Sequence, residues 1–200
     1  MSSAVSPPAA DNTRLTVAAA GFTALIAVGA YISVPIGPVP IVLQNFFVLL
    51  AGIMLPGRSA LAAVGVYLFL GAVGLPVFSG GTGGIGHLIG PTGGYLLSYL
   101  PAVLLISFIG DGGRRQGTDH RPPAGSRSFP LDLLALSAGA LVIFAIGVPW
   151  LKLTAGMSWN TAIGTGMLPF LPGDALKVAA AAFISRAFTP RLRLLLSNER

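Results

Sequence analysis

Asp174 and Lys177 stand three residues apart at the start of an otherwise apolar segment near the end of the chain. That spacing puts both on one face of a helix. A charge at the centre of a membrane helix costs ~2.5–3.5 kcal/mol on insertion scales and less near an end, so such groups tend to face a cavity and serve function. Asp174 directly follows Pro172 and Gly173, where the positive end of a helix dipole favours its anion. The pair offers an acceptor beside a donor. It also fits an internal ion pair, or a lysine that snorkels outward.

Gln44 and Asn45 form a second polar pair, entering an apolar run just beyond a turn marked by Pro35, Gly37, Pro38 and Pro40. Amides in membrane helices bond neighbouring helices as readily as ligands; convergence with Asp174 and Lys177 would favour a ligand. The third feature is SGGTGGIGHLIGPTGGY, from Ser79 to Tyr95. Its glycines, Gly83 and Gly84 among them, let main chain approach a ligand closely. The formal GxGxxG at Gly81, Gly83 and Gly86 is discounted, because a dinucleotide fingerprint needs a strand before it and a helix after it. Two readings fit the run: an ordered, partly re-entrant loop folded over a site, or a flexible linker. His87 within it could donate to a carboxylate or sit at an interface.

Catalysis fares poorly. No HExxH is present, His87 and His120 fall on opposite sides of the bundle expected below, and Asp174 lacks an intramembrane carboxylate partner because Asp132 lies at the far end of another span. No triad or acid pair assembles. With no cysteine in the chain, thiolate metal sites and disulfides are excluded, and neither a metal nor a cofactor is expected.

The elements that must position these residues are hydrophobic helices. Of 200 residues 54% are hydrophobic and 9% charged, against roughly 25% charged in soluble domains. Apolar runs at 15–34, 41–55, 60–75, 95–109, 131–153 and 173–188 predict an all-α, integral membrane bundle of six helices, with the glycine-rich run as an outer loop between the third and fourth. The first run alone would cover about 30 Å as a helix. Residues 1–14, lacking a basic n-region, are expected to be a disordered cytoplasmic tail, 15–188 one membrane domain with a kink near Pro149, and 189–200 a basic tail that begins at Thr189 and Pro190.

Arginine placement orients the bundle. Arg14, Arg58, the group Arg114, Arg115, Arg121 and Arg127, and Arg186, Arg191, Arg193 and Arg200 all fall on one side of a six-span chain, while the other side holds only Lys152. Basic loops face the cytoplasm, so both termini are expected there, with 35–40, 76–94 and 154–172 outside. The formal charge of +6 thus reflects orientation in the bilayer rather than a basic, aromatic-interleaved nucleic-acid surface. In the first span Ala20 and Ala24 make a small-xxx-small surface suited to close helix contact.

These residues carry a family resemblance. AAGFTALIAVGAYISVPIG, VPIVLQNFFVLLAG, GAVGLPVFSGGTGGIGHLIGPTGGYLL and FLPGDALK, together reaching from Ala19 to Lys177, resemble the BioY family, the biotin-specific S components of energy-coupling-factor transporters. The glycine-rich block and PGDALK are the specific parts. The resemblance implies a bacterial inner-membrane protein that captures biotin from outside and works with a transmembrane T component and two ATP-hydrolysing subunits, with Ala20 and Ala24 mapping onto the family's coupling surface. On that reading Asp174 and Lys177 meet the ureido ring, Gln44 and Asn45 complete the polar shell, Tyr95 and Phe78 wall the apolar part, and Gly83, Gly84 or His87 meets the carboxylate. An S component or small permease for another vitamin or organic ion is the alternative, and a membrane enzyme a third.

Overall fold

A computed structural model describes residues 8–35, 38–111 and 128–196, with side chains between 13 and 188. The expected arginine-rich loop at Arg114, Arg115, Arg121 and Arg127, and His120 within it, lie outside the described residues, as do 1–7 and 197–200.

Helix α1 spans Pro8–Tyr31. It therefore begins inside the stretch expected as a disordered tail, because Pro8 suits a first helical turn and Ala9 and Ala10 propagate it. After α1 the chain makes a small departure from an all-α fold: β1 (Ser33–Val34) pairs antiparallel with β2 (Ile41–Val42), Ser33 opposite Val42 and Val34 opposite Ile41. The prolines at 35, 38 and 40 forbid helix here and favour extended backbone.

Helix α2 (Gln44–Met54) stops at Leu55, which is extended because Pro56 follows it; α3 (Gly57–Ala72) then starts at once. The glycine-rich strap, 73–92, contains only the short helix α4 (Ile85–Ile89). Next come α5 (Gly93–Gly110), with Pro101 inside it, and α6 (Phe129–Ala155), which runs through Pro149 and ends on a left-handed Gly156. Helix α7 (Trp159–Gly166) is capped by Ser158, whose Oγ accepts from Thr161 N at 3.2 Å. It lies in 154–172, where small, polar and proline residues had suggested a loop. Helix α8 (Leu171–Leu196) follows. It passes through Pro190, where a stop was expected, since one proline removes a single helical bond and good helix formers lie beyond it.

Both faces of the bundle are apolar. Tyr67, Ile106, Leu136, Ile143 and Leu151 are completely buried, while Phe69, Leu141, Leu153 and Phe183 stand exposed. A helix hydrophobic all round belongs in lipid or in a large core. Three helices, Thr13–Tyr31, Gly93–Gly110 and Phe129–Ala155, are long and apolar enough to cross a membrane. The α7/α8 pair qualifies as a fourth if its 46° bend is a break within one span, and α2 and α3 are apolar but shorter.

Helices α5 and α6 lie along one another. A Cβ on Gly139 would strike Ile106, and one on Gly147 would strike the Tyr95 ring; small residues here let the backbones approach, as membrane packing requires. At the end of α6 remote from its left-handed cap, Asp132 accepts from Arg186 Nε of α8 at 3.1 Å, and the Arg186 guanidinium lies 5.3 Å from the Phe129 ring centre.

A cavity beneath the glycine-rich strap

The β1–β2 turn, the first residues of α2 and α5, the strap and Phe170 before α8 enclose a cavity of about 310 Å³, at the small end of the ~300–1,000 Å³ usual for ligand pockets. Pro38, Val39, Pro40 and Val42 form one side. Gln44 and Asn45 form the next, and Phe78, Ser79, Thr82 and His87 come from the strap. Thr92 at the end of the strap and Tyr95, Leu96 and Tyr99 of α5 complete the wall.

The strap is an ordered element. Phe78 N donates to Thr82 O at 2.8 Å, closing a tight turn in which Gly80 and Gly81 adopt φ of 72° and 73°, values favourable only to glycine. Gly84 N donates to Gly71 O at 2.7 Å, anchoring the strap to α3, and Trp150 Nε1 of α6 donates to Gly90 O at 2.9 Å. Tyr31, the last residue of α1, donates its hydroxyl to Pro76 O, and its ring lies beside Gly81. The strap is thus fastened to three helices.

Gly83 and Gly84 belong to those fastenings. Neither borders the cavity: Gly83 packs so closely on the Leu75 carbonyl that a Cβ would overlap it, and Gly84 has its N–H committed to Gly71. Both shape the strap. Phe78 and His87 do border the cavity, their rings edge to face at 6.0 Å. Phe78, 2% exposed, also meets the Tyr67 ring at 5.6 Å and leaves room for nothing larger than glycine at 71. Tyr95 offers only its ring, since its hydroxyl donates to Gly166 O of α7 at 2.8 Å.

The charged pair sits against this cavity rather than in its lining. Lys177 Nζ donates to Asp174 Oδ1 at 2.9 Å and to the Val42 carbonyl of β2 at 2.8 Å. Asp174 is buried and Lys177 nearly so. The pair therefore ties α8 to the β strand that forms a cavity wall. Tyr99 donates to Asn45 Oδ1 at 2.6 Å and lies within electrostatic reach of both Tyr67 and Asp174.

Two polar atoms behind the wall are left over. Gln44 Nε2 and the Tyr67 hydroxyl are buried and complete no hydrogen bond of normal geometry, although the two side chains face each other. An unsatisfied buried polar group costs about 1–3 kcal/mol, so such a pair beside a cavity calls for a partner. Tyr67, Tyr99, Tyr31 and Trp150 were all missed by sequence reasoning; an aromatic O–H or N–H in an apolar helix signals that a polar partner is needed, but not where that partner lies.

Ala20 and Ala24 lie away from the cavity, exposed on α1 with Val17, Leu25 and Val28, while Ala19, Phe22 and Ile26 on the other face are buried. Among the described residues no three His, Asp or Glu side chains gather to hold a metal ion.

Comparison with known proteins follows this geometry. The BioY family matches residues 1–194. A probable biotin transporter BioY of Pyrococcus horikoshii is 42% identical over 82% of this chain and 89% of its own, and a biotin transporter BioY of Thermotoga maritima is 38% identical over 86% and 94%. The crystal structure of the S-component for biotin from an ECF-type ABC transporter superimposes with a TM-score of 0.79 at 29% identity, covering 88% of this chain and 91% of that one. A family-model match that takes in both the strap and the Asp174/Lys177 segment, together with these sequence relatives and this solved fold, places the chain in the BioY family.

Proposed function

We propose that this protein captures biotin and serves its uptake as the substrate-specific S component of an ECF-type transporter. The observation that carries the reading is the strapped cavity, walled by Gln44, Asn45, Tyr95 and Phe78 and backed by the Asp174/Lys177 pair, in a member of the BioY family. The protein is a transporter component, not an enzyme. Biotin's cyclic urea presents two N–H donors and one carbonyl. Asp174 accepts from an N–H and Lys177 donates to the carbonyl, charge-assisted bonds of the strong class, once the ligand replaces part of their mutual contact. Gln44 and Asn45 complete the polar shell, and the rings of Tyr95 and Phe78 flank the apolar thiophane and chain. His87, on the strap, meets the carboxylate.

In this reading the six apolar segments are six crossings, α2 and α3 being short ones, in the bacterial cytoplasmic (inner) membrane. Residues 15–188 form the substrate-binding domain, both termini face the cytoplasm, and the strap faces outward. Energy comes from a transmembrane T component and two ATPase subunits that dock through the exposed Ala20/Ala24 face of α1. Purified protein should retain labelled biotin stoichiometrically at submicromolar concentration, and Asp174→Asn or Lys177→Ala should weaken retention at least a hundredfold, about 2.7 kcal/mol. Affinity no better than millimolar, or stronger thermal stabilisation by another vitamin in the same assay, would overturn it.

A further inference from the structure

The bond between Tyr99 and Asn45 settles which way an amide faces. Tyr99, on α5 four residues beyond Tyr95, donates its hydroxyl to Oδ1 of Asn45, on the first turn of α2, at 2.6 Å. That distance lies within the ~2.5–3.0 Å usual for an O–H donor and short of the ~2.7–3.2 Å of an N–H donor, so the oxygen of the amide, not its nitrogen, takes the phenol. Tyr99 is 2% exposed, and α2 and α5 pack so closely that a Cβ on Gly52 would lie 3.1 Å from Ile106. Neither end of the bond has room to swing. Both side chains border the cavity. Asn45 Nδ2 keeps two N–H donors and bonds no protein group among the described residues.

We propose that Tyr99 is a positioning residue that sets ligand specificity: by holding Asn45 Oδ1 it keeps Nδ2 turned to the cavity, so that the site takes an acceptor oxygen of the ligand there and refuses a donor. On the biotin reading above, on which this assignment rests, that oxygen is the urea carbonyl, whose two lone pairs serve Lys177 and Asn45 together. An amide free to flip would present donor or acceptor alike. One that is held discriminates, because a site built to hydrogen-bond a given group rejects an analogue that leaves its polar atoms unpaired.

The probe is the cyclic guanidinium analogue of biotin, which carries N–H donors where biotin carries the carbonyl oxygen, read by displacement of labelled biotin from purified protein in detergent. Tyr99→Phe keeps the ring and frees the amide. Biotin affinity should fall roughly fivefold, one hydrogen bond's worth, while that of the analogue holds within about twofold, so the preference for biotin narrows. In an Asn45→Ala background Tyr99→Phe should move that preference less than about twofold, because the two side chains act as one unit. Asn45→Asp tests the same point in a variant that keeps the Tyr99 bond: its second oxygen accepts rather than donates, so biotin should weaken and the analogue tighten. Tyr99→Phe that weakens both ligands alike, or narrows the preference equally in the Asn45→Ala background, would show a packing role and overturn the proposal. So would Asn45→Asp with an unchanged preference. Wild-type protein that retains no biotin overturns the biotin reading and this assignment together, whereas wild-type retention with a preference that Tyr99→Phe does not move overturns only the assignment.

Discussion

At the scale of single residues, the Asp174/Lys177 pair does two jobs that can be separated. Lys177 bridges Asp174 and the Val42 carbonyl, so the pair is a structural clasp as well as the proposed ligand contact. Removing one partner leaves the other charge buried and unpaired, a loss of about 3–5 kcal/mol. Replacing both by apolar groups of similar size relieves that penalty. Lys177→Met alone should therefore lower thermal stability markedly, and Asp174→Leu with Lys177→Met should recover most of it while leaving biotin binding abolished; a double variant as unstable as the single one would show that the clasp to Val42, rather than the charge, dominates. The pair was legible in the sequence because two charges stand out against an apolar run. Tyr67 and Tyr99 were not, since nothing in the spacing of a tyrosine says whether its hydroxyl faces lipid, a helix or a cavity. Only packing that joins α2, α3 and α5 puts Gln44, Tyr67, Asn45 and Tyr99 in one cluster.

At the scale of elements, the strap shows how a glycine-rich segment becomes a wall. Its order comes from outside itself: Tyr31 of α1, Gly71 of α3 and Trp150 of α6 each hold one point. Loosening these ties should speed ligand escape more than it slows entry, because interface changes act chiefly on dissociation. Trp150→Phe keeps an aromatic ring beside Gly94 but loses the bond to Gly90. With a hydrogen bond worth about 1 kcal/mol, biotin dissociation should accelerate roughly fivefold in rapid-dilution measurements, with association within twofold of wild type. Unchanged dissociation would mean that the strap does not gate the cavity. The sequence made the strap visible as a composition anomaly and left open whether it was ordered or a linker, because the fastening groups lie up to 60 residues away. Helix α7 escaped notice for the opposite reason: Asn160, Thr161, Gly164 and Thr165 have weak helix propensity, and the helix stands on its Ser158 cap and the Tyr95–Gly166 bond.

At the scale of the whole molecule, the open question is how the bundle sits in its membrane. Apolar surface on every side, with Leu153, Leu176 and Phe183 exposed, accounts for a multi-pass protein of the BioY family. Orientation rests instead on arginines, several of which lie in the 112–127 segment outside the described residues. Basic residues near span ends set topology through retention on the cytoplasmic side. Arg58 at the α2/α3 turn and the α6/α8 ends bearing Asp132 and Arg186 should then face inward, with the cavity outward. Because the chain has no cysteine, single cysteines report on this without background. Asn160→Cys on α7 and Ser59→Cys at the start of α3 are separated by α3, α5 and α6, an odd number of crossings. Intact cells treated with a membrane-impermeant maleimide should label Asn160→Cys, and should label Ser59→Cys only after permeabilisation. The reverse pattern would invert the protein and turn its cavity to the cytoplasm, where capture from outside is impossible. Labelling of both positions in intact cells would mean that one of the three helices does not cross, and the alternation of arginines would then need another cause.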